Sequence, residues 1–326
     1  MKKNPLSIIK TDTKTETVNA VNKIKQRQQE AEAKYERIWL TRPKRFDPNS
    51  NAIGRERIKT TLAVIEQLTD PEGLEIIDIG CGCGPLARAL AEKGAKVTAS
   101  DIAQNALKRI PEHPNIEKKQ DALPITAFED DKYDLCLCAE VIAELDHRDF
   151  RLAIAELCRV IKPEGQVLCS TPIDIYSEDA FERFAALAET EFKIHTWMTN
   201  HYALYLKMLH FFKAPSKFFN AWRDKSRREE GFKHRHGLYL WWFKINSTTI
   251  PALIWAPIKM ILSPLVYFLE QNRLCMKFFE KLCRFFQQDR GISHATFIGK
   301  RRPILEERHE PPIPDRPPFK KEIKWE

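Results

Sequence analysis

The sequence lacks the cysteine patterns of metal-binding and redox proteins. Its eight cysteines include no CxxC pair and no Cys/His spacing typical of a zinc site. Cys136 and Cys138 alternate along an apolar run, as two buried thiols on one face of a strand would. We therefore predict reduced structural cysteines, which are typical of a cytoplasmic protein.

Low-complexity blocks and internal repeats are also absent, and residues 1–10 contain no apolar run as long as that of a signal peptide. Of the 326 residues, 43% are hydrophobic and 30% are charged, so we expect most of the chain to bury a core. We predict four segments: a helical and partly disordered N-terminal extension (1–55), an α/β core (56–190), a basic, aromatic helical insertion with the last strand (191–300), and a Pro-rich disordered tail (301–326).

Short apolar strands alternate with helical patterns from about residue 74 onwards. This alternation predicts an α/β fold with a doubly wound, Rossmann-like parallel sheet. Two later strands would bring the sheet to seven, the last of them antiparallel. The predicted strands are Glu75–Ile79, Lys96–Ser100, Asn115–Lys119, Tyr133–Cys138, Gln166–Thr171, Phe192–Trp197 and His294–Lys300.

A glycine loop, IIDIGCGCG, follows the first predicted strand. Gly80, Gly82 and Gly84 let the chain turn sharply and let its backbone approach a ligand that a Cβ would block. A dinucleotide site has GxGxxG spacing and holds a pyrophosphate. The GxGxG spacing here disfavours that alternative, a nicotinamide-dependent oxidoreductase. The carboxylate of Asp78 would repel a pyrophosphate and suits a ligand that carries an ammonium group.

Further acids follow the second and third predicted strands. Asp101 lies 21 residues beyond Gly80 and places two carboxylate oxygens where a ribose diol would lie. Asp121, between Gln120 and Ala122, is positioned to face an adenine edge. Each acid alone is typical of a solvated loop, but their placement after successive strands favours a shared ligand site.

Residues 74–172 resemble the class I S-adenosylmethionine-dependent methyltransferases, especially the branch acting on small molecules and quinones. The matching stretches are IIDIGCGCGPLARAL, VTASDIA, KQDAL, YDLCLCAEVIAELDH and CRVIKPEGQVLCSTP. The resemblance implies S-adenosylmethionine as cofactor and methyl transfer to oxygen or carbon of a small, lipophilic or lipid-like acceptor. The cofactor-binding residues it implies are Asp78, Gly80, Cys81, Gly82, Gly84, Asp101, Ile102, Asp121, Ala122, Cys138 and Ala139.

Methyl transfer needs a base only when the acceptor must lose a proton, because much of the rate comes from alignment. Our candidates are Glu140 and His147, in a segment that also contains Glu144 and Asp146. Similar quinone O-methyltransferases have EVLEH here, which can hold a divalent metal. Ala143 and Glu144 replace its second Glu and its His, so we predict no metal site.

Residues 192–245 contain eleven Lys and Arg but only three Asp and Glu. This excess predicts an anionic partner: a membrane surface, a phosphorylated substrate or nucleic acid. Nucleic acid is disfavoured, because the chain lacks the Asn/Asp-Pro-Pro-Tyr loop of base methyltransferases and its prolines and long apolar run are poor features for RNA binding. We also expect this insertion, with residues 35–60, to help cover the substrate pocket.

Residues 250–269 are apolar over a length that could span a bilayer, but Pro251, Pro257 and Pro264 predict a broken or bent helix. Residues 273–286 form a helix with one apolar and one basic face, which would either pack on the core or lie on a membrane. One hypothesis is thus peripheral attachment of residues 207–286 to an anionic inner membrane face. A non-catalytic, membrane-associated protein with the same fold stays an alternative function.

Overall fold

A seven-stranded sheet lies at the centre of the first of two units in the computed structural model of this protein. The structure describes residues 14–177, 179–233 and 235–302. Within this part of the chain, the first unit comprises residues 14–50, 54–199 and 294–302, and the second comprises residues 51–53 and 200–293. Our predictions for residues 1–13 and for the tail beyond residue 302 lie outside the described residues.

The sheet has the predicted α/β, Rossmann-like architecture, with strand order β3-β2-β1-β4-β5-β7-β6. Strands β1 to β5 pair in parallel, and β7 runs antiparallel to β5, with Phe297 opposite Cys169. The seven predicted strands are therefore confirmed. Their bounds are β1 Glu75–Ile79, β2 Lys96–Asp101, β3 Ile116–Gln120, β4 Tyr133–Ala139, β5 Ile161–Pro172, β6 Phe192–Asn200 and β7 His294–Arg301.

Helices pack around this sheet, which explains why its central strands are apolar on both faces. In β4, Tyr133 and the run Leu135–Cys138 are buried, so both predicted thiols lie in the core. Helix α3 begins at Pro85. The fixed φ of proline suits the first turn of a helix, and the N–H that proline lacks would have had no partner within the helix at this position. The helices of this unit are α1 Lys14–Thr41, α2 Ala52–Leu68 (whose first two residues belong to the second unit), α3 Pro85–Ala91, α4 Gln104–Leu107, α5 Phe150–Val160 and α6 Ala180–Glu189.

The second unit consists mainly of helices in its described part. One apolar cluster joins Tyr205, Leu209, Leu269 and Met276, and Tyr205 donates its hydroxyl proton to the Leu269 carbonyl at 2.5 Å. A second cluster is built around Phe218, with Ala221 and Phe243. The helices are α7 Ala203–Arg223, α8 Lys225–Lys233, α9 Gly237–Asn246, α10 Thr249–Gln271 and α11 Arg273–Gln287.

Helix α10 runs unbroken for 23 residues, so the prediction of a broken helix is wrong, and the alternative of a bent helix stays a prediction. Pro251 stands in the first turn, where backbone N–H groups have no partner within the helix. Pro257 and Pro264 are both exposed and seven residues apart, so they lie on the same outward side, where their rings disturb no packed neighbour. Among the described residues, α10 is the helix that is long and apolar enough to cross a membrane.

Candidate cofactor and active site

The glycine loop leaves β1 through three residues in the left-handed region. Gly80, Gly82 and Gly84 have φ of 72°, 57° and 69°, values that side chains rarely allow. The N–H groups of Gly80 and Cys81 both donate to the Ser100 carbonyl, at 2.7 and 2.9 Å, and so tie the loop to the end of β2. The local sequence thus forms a bare backbone turn at the carboxyl edge of the sheet.

Protein atoms crowd each of these glycines. A Cβ on Gly80 would stand 2.1 Å from the Val141 side chain, and one on Gly84 would stand 2.9 Å from Ile110. At Gly82 the nearest atom is Cζ2 of Trp39, at 3.1 Å. The first and third glycines are therefore required for packing as well as for the turn, and Gly82 lies next to an indole ring from α1.

Asp78 is a buried carboxyl group at the start of this loop, with 2% of its surface exposed. It accepts a hydrogen bond from the backbone N–H of Ala87, in the first turn of α3. Burial, with the nearby charge of Asp101, raises the pKa of Asp78 to about 7. A cation bound beside it would favour the ionised form, so the site suits a ligand with a positive group. Burial and the charge of Asp78 also raise the pKa of the Cys81 thiol.

Asp101 ends β2 and is 94% buried, with an exposed fraction of 6%. One carboxylate oxygen accepts the Gly82 N–H at 2.9 Å, and the other accepts the Ala103 N–H at 2.9 Å. Burial raises the pKa of Asp101 against the opposing effect of these two bonds. The carboxylate is thus oriented by backbone groups, and each oxygen has a second lone pair for the predicted ribose contact.

Asp121 organises the loop that follows β3. Its two oxygens accept the N–H groups of Ala122 and Ala127, both at 2.7 Å, and burial raises its pKa. This pairing gives Asp121 a structural role, and its contact with adenine stays a prediction. Ile102, directly beyond β2, packs against the cluster that contains Trp39.

Helix α1 covers the carboxyl ends of β1, β2 and β3. Trp39 is buried with Ala103 and Ala106. The Glu36 carboxylate accepts the Asn105 N–H at 3.1 Å, and Gln28 Nε2 donates to the Ala122 carbonyl at 2.7 Å. Our sequence reasoning assigned residues from 35 onwards to a cover but did not identify Gln28. Nothing in the polar run around Gln28 indicates its partner, which lies 94 residues away.

Glu140 stands directly after β4 with φ of 66°, a conformation that is costly for a residue with a side chain. Its N–H donates to the Ser170 carbonyl at 2.8 Å, and its carboxylate accepts the Ser170 hydroxyl at 3.2 Å. The carboxylate also lies 3.2 Å from Arg57 Nη1 and 3.7 Å from His294 Nε2. Burial lowers the pKa of His294, which favours its neutral imidazole, while the charge of Glu140 acts in the opposite direction.

The two predicted bases have different partners in the structure. His147 lies in a short 3-10 turn, half-exposed, with Nδ1 3.3 Å from the Asp146 carboxylate. Glu140 instead forms a cluster with Arg57, Ser170 and His294, and our sequence reasoning missed Arg57 and His294 as its partners. At the end of β4, Cys138 is fully buried opposite Cys169 in β5, and Ala139 is half-buried.

Comparisons with known proteins identify relatives of part of this chain. The chain is 34% identical over 118 residues to the ubiquinone biosynthesis O-methyltransferase of Paracidovorax citrulli, covering 34% of this chain and 48% of that protein. It is 33% identical over 115 residues to the S-adenosyl-L-methionine-dependent Diels-Alderase iliD of Neonectria sp., covering 35% and 45%. The chain thus spans about half the length of these curated relatives.

Among solved structures, the PH0226 protein of Pyrococcus horikoshii aligns with a TM-score of 0.43 and 17% identity, over 50% of this chain and 92% of that one.

A family model described as a methyltransferase domain matches residues 24–214, more than half of the chain. The matched region contains the glycine loop, Asp78, Asp101 and Glu140. The chain therefore belongs to the class I S-adenosylmethionine-dependent methyltransferase family.

Proposed function

We propose that this protein binds S-adenosylmethionine and transfers its methyl group to oxygen or carbon of a small, lipophilic molecule. The observation that carries the proposal is the pair of buried carboxyl groups, Asp78 and Asp101, on either side of a glycine loop with GxGxG spacing. Membership of the methyltransferase family supports the same reading. We also propose the cytoplasmic location predicted from the sequence, because cysteines without paired spacing are typical of reduced structural thiols.

The residues present fit the cofactor. The loop Gly80–Gly84 would hold its methionine part, with Asp78 near the ammonium, while Asp101 would hold the ribose and the loop around Asp121 would border the adenine. When bound, S-adenosylmethionine supplies a methyl group that its sulfonium has already activated. The protein then has to align the acceptor and exclude competing water. Helix α1 contributes to this exclusion, because Trp39 lies against Gly82.

An acceptor hydroxyl must lose its proton as it is methylated, and the Glu140 cluster is our candidate for this step. A neutral His294 can accept a proton, and Glu140, held by Arg57 and Ser170, is placed to stabilise the imidazolium that forms. In a simpler form of the same proposal, the Glu140 carboxylate itself accepts the proton of the acceptor hydroxyl. His147, which has its own acid in Asp146, stays the rival base.

The acceptor class rests on the relatives. Several matched proteins are named ubiquinone biosynthesis O-methyltransferases, which favours a hydroxyl group on a small lipophilic molecule. One matched relative is named a Diels-Alderase that depends on S-adenosyl-L-methionine. That name favours, as a second candidate, a protein of this fold that binds the cofactor without transferring its methyl group.

Calorimetry followed by label transfer tests both candidates. We expect heat when S-adenosylmethionine is titrated into the full chain, and none with nicotinamide dinucleotides. With methyl-labelled cofactor and a small-molecule extract, we expect label in an organic-soluble product and release of S-adenosylhomocysteine. If the cofactor titration gives heat but no S-adenosylhomocysteine is released with extracts from several growth conditions, the second candidate is favoured. Absence of heat with folded protein would contradict both.

A further inference from the structure

The second unit turns a large apolar surface away from its own core. We define the outer face of α10 as the apolar side chains of that helix that are at least 40% exposed. At about 100° of rotation per residue, these positions fall on one side of the helix. Pro257 and Pro264 lie on the same side. The face consists of Ile250, Leu253, Ile254, Met260, Ile261, Leu265, Tyr267 and Phe268.

The two charged residues of α10 lie on its opposite, packed side. Lys259 Nζ stands 4.5 Å above the ring of Phe219 and 3.5 Å from the Asn220 side chain. Glu270 forms an ion pair with Lys213 of α7. A helix on the surface of a protein in water carries its charges outward and its apolar side chains inward. Helix α10 has the reverse arrangement.

Burial excludes the simplest explanation for an apolar helix of this length. Only 6% of the most apolar 18-residue window of α10 is buried, so it is not an internal core helix of its unit. Contiguous exposed apolar surface of this extent marks a site of interaction. Helices α9 and α11, which contact α10, also expose apolar side chains: Leu238, Trp241 and Trp242 in α9, and Leu274, Phe278 and Phe285 in α11.

The charge of the unit identifies the partner. Residues 200–293 contain sixteen Lys and Arg and six Asp and Glu, an excess of ten positive charges. Several of these cations are exposed on the helices that carry the apolar side chains, among them Lys244, Arg273, Lys281 and Arg284. Apolar and aromatic side chains beside exposed cations match the boundary between lipid hydrocarbon and anionic headgroups. A purely apolar protein partner would not require this charge.

We propose that the outer face of α10, with the exposed apolar side chains of α9 and α11, docks into one leaflet of a bilayer that contains anionic lipids. The helix lies along the interface and does not cross the bilayer, because its other side packs on α7 and holds Lys259 and the Lys213–Glu270 pair. This inference concerns the second unit and does not depend on the reaction proposed for the first.

Vesicle flotation of the full-length protein tests the proposal. We expect the protein to float with vesicles of phosphatidylcholine and phosphatidylglycerol, and to float less at high salt. The double substitution Met260→Glu/Ile261→Glu places two charges on the outer face of α10, where these side chains are 74% and 72% exposed. We expect vesicle partitioning to fall about tenfold or more, because two carboxylates would enter the headgroup boundary.

A matched control places the same charges on the first unit. Val18→Glu/Tyr176→Glu alters side chains that are 57% and 58% exposed, and we expect flotation equal to that of the unsubstituted protein. Lys244→Gln/Lys281→Gln should weaken binding to vesicles with phosphatidylglycerol. Calorimetric titration of every variant with S-adenosylmethionine measures separately whether the first unit still binds the cofactor.

Flotation that is equal in Met260→Glu/Ile261→Glu and in the control would overturn the proposal. So would a second result: protein that does not float with anionic vesicles at low salt but sediments as a dimer that this variant dissociates. In that case a second copy of the chain covers the face.

Discussion

The two units distribute apolar and charged side chains in opposite ways. In the first unit, Ile76, Leu137 and Leu168 are fully buried. Its buried carboxyl groups outside the candidate site are paired with arginines, Asp149 with Arg27 and Glu156 with Arg159. In the second unit, Met260 and Ile261 are exposed, while Lys259 and Glu270 lie on the packed side of α10. The first arrangement is that of a protein core in water, and the second is that of a surface that faces lipid. Substitution can test this contrast, starting with the largest expected effect.

The contrast predicts a large difference in the stability effects of two similar truncations. Leu137→Ala removes a fully buried side chain from β4 and should lower the free energy of unfolding by about 2–5 kcal/mol. Ile261→Ala should change it by less than about 0.5 kcal/mol, because that side chain is already 72% exposed. Chemical denaturation in the absence of lipid measures both. A comparable loss for the two variants would show that the face of α10 is covered in solution.

Gly82→Val should abolish detectable cofactor binding. A Cβ at this position meets Trp39 at 3.1 Å, and φ of 57° disfavours a branched side chain. Calorimetry with S-adenosylmethionine measures the loss. Gly73→Val is the matched control, because Gly73 has a similar φ of 75° but open space around its Cβ position. Equal cofactor affinity in the two variants would argue against the assigned site.

Asp101→Ala should weaken cofactor binding by about 2 kcal/mol, roughly 30-fold, if the carboxylate accepts two ribose hydroxyls. Part of that loss would come from the freed N–H groups of Gly82 and Ala103. Asp134→Ala is the control: Asp134 also accepts a backbone N–H, that of Glu75 at 3.0 Å, but at the opposite edge of the sheet. A similar effect of both substitutions on binding would count against a ribose contact.

The raised pKa of Asp78 predicts that cofactor binding strengthens as pH rises. Below about pH 7 its carboxyl is largely protonated in the free protein, so a positively charged ligand finds less opposite charge. Binding near pH 6 should then release a proton, which titrations in buffers of different ionisation enthalpy detect. Asp78→Asn should remove this pH dependence. A pH-independent affinity in the unsubstituted protein would contradict the predicted ammonium contact.

The same pKa determines the sign of a stability effect. The folded-state pKa of Asp78 lies above the value of about 4 expected in the unfolded chain, so the folded state binds more protons between those values. Stability contributed by this group therefore falls as pH rises from about 4 to 7. At pH 8, Asp78→Asn should raise the Tm of the cofactor-free protein, by an amount corresponding to about 2 kcal/mol or more. Differential scanning calorimetry at pH 5 and pH 8 checks the trend.

The last comparison distinguishes the two candidate bases. His294→Gln should lower kcat for an oxygen acceptor about 100-fold and leave cofactor affinity unchanged, because general-base assistance is typically worth that much. His147→Gln should change neither quantity, since this side chain is half-exposed on a surface turn. The reverse result would move the base to His147 and leave the Glu140 cluster with a structural role.

Much of the first unit could be predicted from sequence, because its signals are local. Glu75–Ile79 is a strand bounded by turns, and Pro85 begins a helix at the expected position. Strands of a parallel sheet end at one edge, so Asp78, Asp101 and Asp121 lie at or near the carboxyl ends of β1, β2 and β3. Their contact with a shared ligand stays a prediction. The final antiparallel strand was also correctly predicted.

The partners of individual side chains could not be read from the sequence. Arg57 and His294 meet Glu140 from 83 and 154 residues away in the chain, and no periodicity carries that information. Both oxygens of Asp121 bind backbone groups, a local detail that depends on the path of the loop.

The sequence by itself determined the order and type of the elements, the bare turn after β1 and the excess of positive charge near the C-terminal third. Only the tertiary structure decided which side of each element is buried. Helix α10 is apolar around most of its circumference, so composition does not say which side packs. Its pairing with α7 places Lys259 and Glu270 on the packed side and leaves Met260 and Ile261 outside. The hydrophobic pattern indicates which side chains favour burial. Contacts between segments that are distant in sequence decide which of those side chains are buried, and against which partners.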